Sequence, residues 1–157
     1  MDIARRAAEL FDEVIIAVYD KPLKNLVFGA EHRLALVSEA FGGDAKIKVM
    51  PFSGLVVEFC RAVQAQVIVR GLRVFSDFEH EFRMAHANRR LASEIETMLL
   101  ITQEQHTFLS STTVREIASL GGNISTMVPP HVERALLDHF NTSTDGQDGR
   151  HMTSLRD

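Results

Sequence analysis

The sequence predicts an α/β fold, in which a parallel β-sheet carries helices on both faces. Short apolar runs rich in β-branched residues, such as 13–19 and 66–70, alternate with longer segments of helical periodicity. Such alternation is typical of parallel strands joined by crossover helices. The length of 157 residues suits one domain with one core.

The first half of the chain predicts three helices and two strands. Ile3, Ala7 and Leu10 recur at helical spacing, whereas the strands are short apolar runs, the first of them buried on both faces. Gly42 and the glycine after it close the second helix. The helices are predicted at 2–11, 30–41 and 54–64, and the strands at 13–19 and 47–50.

The second half predicts two strands and three helices. The most apolar strand is broken at Gly71, and Thr113 with Glu116 has the spacing of a capping box. Pro129 and Pro130 open the last helix. The strands are predicted at 66–70 and 94–102, and the helices at 78–91, 113–120 and 129–140. The polar segment 141–157 is predicted to be a disordered tail, so that the domain covers 1–140.

Composition excludes several classes of protein. The net charge of −4 gives no global basic field for nucleic acid, so an anion must be held by a local cluster. No apolar run approaches the roughly 20 residues that cross a bilayer, and the N-terminus lacks a signal-peptide pattern. The single Cys60 is read as a core thiol of a reducing compartment. We therefore expect a cytoplasmic protein without nucleic-acid or membrane partners.

Two loops at the predicted sheet edge are candidates for phosphate. Arg70 and Arg73 flank Gly71 at a strand's carboxyl end, where ligands of such folds bind and where guanidinium forks suit oxyanions. Lys24 follows the first strand at the same edge. The alternative is that these cations are only solvated.

The hydroxyl-rich segment 110–112 precedes a helix, whose N-terminus could hold a phosphate, although an ordinary helix cap is the more common outcome. Asp77 is a natural N-cap for the helix predicted at 78–91, and Glu81 could bind a ribose hydroxyl. Metal-site patterns are absent, because His80 and His86 lack zincin spacing and one cysteine makes a structural zinc site unfavourable.

These segments, in this order, resemble the phosphopantetheine adenylyltransferases of bacterial coenzyme A biosynthesis. The resemblance runs from Met1 to about Phe140. Its strongest parts are Val69-Arg70-Gly71-Leu72-Arg73, Asp77-Phe78-Glu79-His80-Glu81, Ala85-His86-Ala87-Asn88-Arg89 and Phe108-Leu109-Ser110-Ser111-Thr112, together with Pro51-Phe52-Ser53-Gly54-Leu55 and Val128-Pro129-Pro130.

The resemblance implies a Rossmann-like nucleotidyltransferase fold, a homohexamer, and transfer of AMP from ATP to 4'-phosphopantetheine with Mg²⁺, giving dephospho-coenzyme A and pyrophosphate. It implies that phosphopantetheine contacts Lys24, Val56, Arg70, Asn88 and Glu116. It implies that ATP contacts Gly71, Leu72, Arg73, Glu81, His106, Thr107, Phe108, Leu109, Ser110, Ser111 and Thr112.

One part of the family pattern is not found. Aligned this way, the family's Thr/His-x-Gly-His motif, with its catalytic histidine, would fall just before Met1, together with the first parallel strand. We therefore expect no catalytic residue in this chain, a gap in its sheet, and no adenylyltransferase activity without those residues. Two alternatives stay open, namely another adenylyl- or cytidylyltransferase of the superfamily, for example one acting on nicotinate mononucleotide, and a non-catalytic nucleotide-binding protein.

Overall fold

The computed structural model describes residues 1–21 and 26–145. The chain forms two compact units, Met1–Phe108 and a second that begins at Leu109. The first unit alternates helices with strands: α1 (Asp2–Leu10), β1 (Val14–Tyr19), α2 (Ala30–Phe41), β2 (Ile47–Phe52), α3 (Val56–Ala62), β3 (Val67–Leu72), α4 (Phe75–Leu91) and β4 (Glu96–Ile101), followed by a 3₁₀ turn at Glu104–His106. The second unit contains α5 (Ser111–Ser119) and α6 (Pro130–Asp145). The predicted α/β class is confirmed.

All four strands are parallel, but they form two separate pairs. β1 pairs with β2, with Val14 opposite Ile47, and β3 pairs with β4, with Val67 opposite Glu96. Among the described residues no ladder joins β1 to β3, so each of the four strands has one unpaired edge. The expected gap in the sheet is therefore observed.

Helix α1 spans the two strand pairs of the first unit. It packs against β1 and β2 of one pair and against β3 of the other. The Arg6 guanidinium donates to the carbonyl of Ile101 at 2.7 Å, and Asp2 accepts from the backbone N–H of Gln103 at 3.2 Å. These contacts hold the carboxyl end of β4 against the start of α1.

The buried core of the first unit is small. Its centre is formed by Val57 and Cys60 of α3 with Ala92 and Ile95 near the end of α4. The prediction that Cys60 is a core thiol is confirmed, and burial raises its pKa. The prediction that the first strand is buried on both faces is wrong, because only Val18 of β1 is fully buried. A strand with one unpaired edge has fewer neighbours to cover it.

Several predicted boundaries differ from the structure. β3 is not broken at Gly71 but continues to Leu72. The parallel pairing with β4 continues through the glycine and keeps it in the strand. α4 begins three residues earlier than expected, at Phe75, so that Asp77 lies in its first turn and is not the N-cap. The cap position belongs to Val74, which makes no side-chain cap.

The last helix is longer than predicted. α6 continues past Phe140 to Asp145, so residues 141–145 are helical and not part of a disordered tail. The hydroxyl of Thr142 donates to the carbonyl of Asp138 at 2.7 Å, which satisfies a polar side chain within a helix. The rest of the predicted tail, 146–157, lies outside the described residues.

Candidate functional site

The arginine-rich segment lies where β3 ends. Side chains of a strand alternate between its faces, so Arg70 and Leu72 share one face and Gly71 lies on the other. α1 packs on the Gly71 side, and a Cβ at Gly71 would lie 3.0 Å from Cγ1 of Ile3. The glycine is therefore explained by the close approach of α1, and the predicted contact of this segment with ATP stays a prediction.

Arg70 forms a two-bond ion pair with Glu81 of α4. Its Nε donates to Oε2 at 2.9 Å and its Nη2 donates to Oε1 at 2.8 Å. The Glu81 side chain is 10% exposed, whereas that of Arg70 is 52% exposed. The hydrogen bonds to Glu81 raise the pKa of Arg70 and outweigh the opposite effect of burial. The arginine is thus charged and held from one side by a buried carboxylate.

Arg73 forms a second pair with Asp77. The Arg73 backbone N–H donates to Oδ2 of Asp77 at 3.1 Å, and its Nε donates to the same oxygen at 3.0 Å. The Nη2 group donates to Oδ1 at 3.3 Å. The hydrogen bonds from Arg73 lower the pKa of Asp77. These contacts explain why Asp77 does not cap α4, because its carboxylate is already used by the residues that precede the helix.

α4 therefore provides the polar surface behind the arginines. Asp77, Glu81 and Asn88 have the spacing of one helical face, and Glu81 and Asn88 are the two buried polar residues of the described part of the chain. Asp77 and Glu81 are four residues apart, so the two carboxylates are about one turn of helix apart. The structure thus brings Arg70, Arg73, Asp77 and Glu81 together.

Sequence reasoning missed three polar groups near the strand ends. Asp20 follows β1 and Thr102 follows β4, and within the described ranges Asp20 Oδ1 and Thr102 Oγ1 are buried without a hydrogen-bond partner. Arg33 of α2 donates through Nη2 to the carbonyl of Tyr19 at 2.7 Å. The rule that ligands bind at strand ends could have identified Asp20 and Thr102, but it does not apply to Arg33, which lies on a helix.

The other residues predicted to contact phosphopantetheine lie in different elements. Val56 begins α3 and packs against the buried cluster around Val57. Asn88 is buried in α4, and Glu116 is exposed on α5 in the second unit. Lys24 lies in 22–25, outside the described residues. The predicted convergence of Lys24 with the arginines stays a prediction.

The predicted ATP loop is divided between the two units. His106 ends the 3₁₀ turn and Phe108 is 87% exposed, while Leu109 begins the second unit. In that unit Ser110 caps α5, because its Oγ accepts the backbone N–H of Thr113 at 3.0 Å. The predicted capping box that begins at Thr113 is therefore wrong, since Thr113 occupies the third helical position. For Ser110 the helix-cap alternative is confirmed.

The described residues contain no group of three or more His, Cys, Asp or Glu side chains that could hold a metal ion. The two carboxylates beside the candidate site are paired with arginines. A protein-built metal cage therefore does not fit these residues. In the same part of the chain, every helix is too short or too polar to span a bilayer.

Comparisons with known proteins agree on one family. The model of the cytidylyltransferase-like family matches residues 1–117, which contain every candidate residue from Lys24 to Glu116. A phosphopantetheine adenylyltransferase of Herpetosiphon aurantiacus is 45% identical over 142 residues, which cover 90% of this chain and 86% of that protein. The enzyme of that name from Desulfitobacterium hafniense is 46% identical over 145 residues, covering 92% and 89%. One from a Roseiflexus species is 48% identical over 136 residues, covering 87% and 85%.

Proposed function

Because this chain belongs to the phosphopantetheine adenylyltransferase family, we propose that it transfers the adenylyl group of ATP to 4'-phosphopantetheine. The products are dephospho-coenzyme A and pyrophosphate. One structural observation carries the proposal: two arginines at the carboxyl end of β3, Arg70 and Arg73, are each held by a carboxylate of α4. Guanidinium groups that are already oriented before substrates bind suit a reaction between two phosphate-bearing substrates at this edge of the sheet.

The reaction needs no covalent intermediate with the protein. A phosphate oxygen of phosphopantetheine attacks the α-phosphorus of ATP, and the bond from that phosphorus to the β-phosphate oxygen breaks, so that pyrophosphate leaves with the electron pair. Catalysis of this kind consists mainly of positioning and charge neutralisation. We assign the acceptor phosphate to Arg70 and the nucleotide to Arg73.

Mg²⁺ would accompany the nucleotide. This ion retains several waters and is commonly bound through substrate phosphates and few protein ligands. Since Asp77 and Glu81 are paired with arginines, we propose that Mg²⁺ arrives with ATP. When bound, it would neutralise phosphate charge, while this chain's own contribution is the placement of the cations.

The gap between β1 and β3 bears on activity. We propose that it takes one further parallel strand, and that the family's histidine motif follows that strand at the same sheet edge. Both strands beside the gap have an unpaired edge in the described structure, and such edges carry backbone groups ready to pair. Without that strand the chain is expected to bind substrates weakly and to lack turnover.

We also propose self-assembly, as a homohexamer of a cytoplasmic enzyme. α4 supports this, because Phe75, Phe78 and Phe82 form a row of contacting rings that is 41–89% exposed. Exposed apolar rows of this kind mark interaction surfaces. Sedimentation of the native chain and of Phe75→Ser would test this, with a smaller assembly expected for the variant.

Separate binding measurements test the proposed reaction. Arg73→Ala should weaken ATP binding by roughly 1.5–3 kcal/mol, the scale of a charged hydrogen bond. Arg70→Lys keeps the charge but loses the planar fork, so it should weaken phosphopantetheine binding instead. Arg83→Ala is the matched control, because Arg83 is an exposed arginine of α4 whose partner, among the described residues, is Glu79.

Titration calorimetry with each substrate, on the chain extended upstream by the further strand, would measure these affinities. The assignment fails if Arg73→Ala and Arg83→Ala bind ATP equally well. Tighter binding of nicotinate mononucleotide than of phosphopantetheine would favour another nucleotidyltransferase of the superfamily.

A further inference from the structure

The start of α1 holds the segment that leaves β4. The Arg6 guanidinium donates through Nη1 to the carbonyl of Ile101 at 2.7 Å, and Oδ2 of Asp2 accepts the backbone N–H of Gln103 at 3.2 Å. The two side chains also contact each other, because Nη1 of Arg6 lies 3.4 Å from the same Asp2 oxygen. We infer that Asp2 and Arg6 are positioning residues for a nucleotide-binding segment that follows β4, an inference that rests on the proposed function.

The register of β3 and β4 places this segment beside the arginine assigned to the nucleotide. Leu72 is opposite Ile101, and the backbone N–H of Thr102 donates to the carbonyl of Leu72 at 2.9 Å. Arg73 directly follows Leu72, and Gln103 directly follows Thr102, so both residues lie where the parallel strands end at one edge. A nucleotide held by Arg73 therefore lies next to the segment that begins at Gln103.

Two successive hydrogen bonds connect Asp2 to His106. Gln103 is the N-cap of the 3₁₀ turn, and its carbonyl accepts the backbone N–H of His106 at 2.9 Å, while its own N–H is held by Asp2. The side-chain Oε1 of Gln103 accepts a further bond from Nε2 of Gln105 at 3.0 Å. The family resemblance implies that His106 contacts ATP, so the anchoring of this turn sets the position of that imidazole.

A role confined to α1 would not require this reach. Asp2 and Arg6 have the i,i+4 spacing of a helix ion pair, and an acidic residue in the first turn suits the helix dipole. Such a pair alone contributes little to stability. Both side chains, however, also bind backbone groups that lie 95 and 101 positions further along the chain. The Asp2 side chain is 9% exposed, so its oxygens face these protein donors more than water.

Arg5 provides a matched control in the same helix. It precedes Arg6 directly, and its Nε donates to Oδ2 of Asp44 at 3.3 Å, in the loop between α2 and β2. That loop lies at the amino end of β2, whereas the segment held by Arg6 lies at the carboxyl end of β4. General damage to α1 would follow from either substitution, but only a change at Arg6 removes a contact with the segment after β4.

Amide hydrogen exchange of the printed chain, followed residue by residue by NMR, tests the contact itself. Arg6→Gln and Asp2→Ala should each speed exchange of the Gln103 and His106 amides about tenfold, because the turn opens more often. Arg5→Gln should change these rates less than about twofold. Asp2→Asn keeps an oxygen that can accept the N–H of Gln103 and should recover part of the protection. Unchanged exchange at both amides in Arg6→Gln and Asp2→Ala would overturn the inference.

Titration calorimetry with ATP and with phosphopantetheine, on the chain extended upstream by the further strand, tests the consequence for binding. Arg6→Gln should raise the Kd for ATP about tenfold, the scale of one lost charged hydrogen bond, and change the Kd for phosphopantetheine less than about twofold. Arg6→Lys keeps a charged donor for the Ile101 carbonyl and should recover part of the loss, and Arg5→Gln should change neither affinity. Thermal denaturation of each variant shows that it is folded at the titration temperature.

Two failures are distinguishable. If the unaltered extended chain binds neither substrate, the proposed function fails, and the inference that rests on it fails as well. If that chain binds both substrates, but Arg6→Gln weakens neither or weakens both equally, the positioning role is wrong while the proposed substrates remain.

Discussion

The ion pair between Arg70 and Glu81 predicts an unequal response to removal of its two members. In Arg70→Ala the carboxylate of Glu81, whose side chain is 10% exposed, loses its partner and stays buried. In Glu81→Gln the arginine, at 52% exposure, can turn to water. The first variant should therefore lose much more stability than the second.

The magnitude follows from the degree of burial. Breaking a fully buried pair costs about 3–5 kcal/mol, whereas an exposed pair is worth roughly 0–1 kcal/mol. For this half-exposed pair we expect Arg70→Ala to lose about 2 kcal/mol and Glu81→Gln less than about 1 kcal/mol. At roughly 2–4 °C per kcal/mol for a chain of this size, the first loss lowers Tm by about 6 °C.

Calorimetric or circular-dichroism melts at pH 7 provide the assay. The double variant Arg70→Ala with Glu81→Gln should be more stable than Arg70→Ala alone, because it removes the stranded charge. If Glu81→Gln costs as much stability as Arg70→Ala, the difference in burial between the two side chains does not determine the stability of the pair.

Three further predictions concern single residues. Asp77→Asn should lower stability at pH 7, because Arg73 lowers the pKa of Asp77 in the folded state. The ionised carboxylate therefore stabilises the fold above its unfolded pKa of about 3.9, and this stabilisation disappears as pH falls through the lower folded pKa. Urea unfolding of both chains across pH 2–7 measures the difference, which should vanish in acid. Gly71→Ala should destabilise by about 1–3 kcal/mol, since the new methyl meets Ile3 at 3.0 Å, and an unchanged Tm would contradict the close packing of α1. Ser110→Ala should cost about 1 kcal/mol by removing the α5 cap, whereas Ser110→Asp should restore stability in the same melt.

The order of elements and the position of the arginines could be predicted from sequence. Short apolar runs indicate the strands directly, and the strand-end rule predicts that Arg70 and Arg73 lie at the edge where ligands bind. The start of α4 could not be predicted as easily. Phe75 is 89% exposed, so it adds nothing to a pattern of buried residues. Asp77 has the residue type of an N-cap, and the sequence does not show that Arg73 binds its carboxylate.

The pairing of Arg70 with Glu81 lay beyond sequence reasoning because it depends on how α4 crosses β3. The residues are 11 positions apart, in a strand and a helix, and no local spacing rule connects them. Arg73 and Asp77 are four apart, but Arg73 precedes the helix, so the rule for pairs within helices does not apply either. The ion pair is therefore a finding of the structure, and the predicted contact of Glu81 with ATP stays a prediction.

Measuring both reaction products tests the proposed adenylyl transfer. ATP and 4'-phosphopantetheine would be incubated with the printed chain and with the chain extended upstream by about 18 residues, enough for a strand, a loop and a helix start, as far as its gene encodes them. Dephospho-coenzyme A and pyrophosphate would be measured together. We expect the extended chain to form both products in equal amounts, Arg70→Lys in that chain to form them more slowly, and the printed chain to be inactive. Equal rates for both chains would contradict the role given to the added strand and histidine, and pyrophosphate release without dephospho-coenzyme A would contradict the proposed reaction.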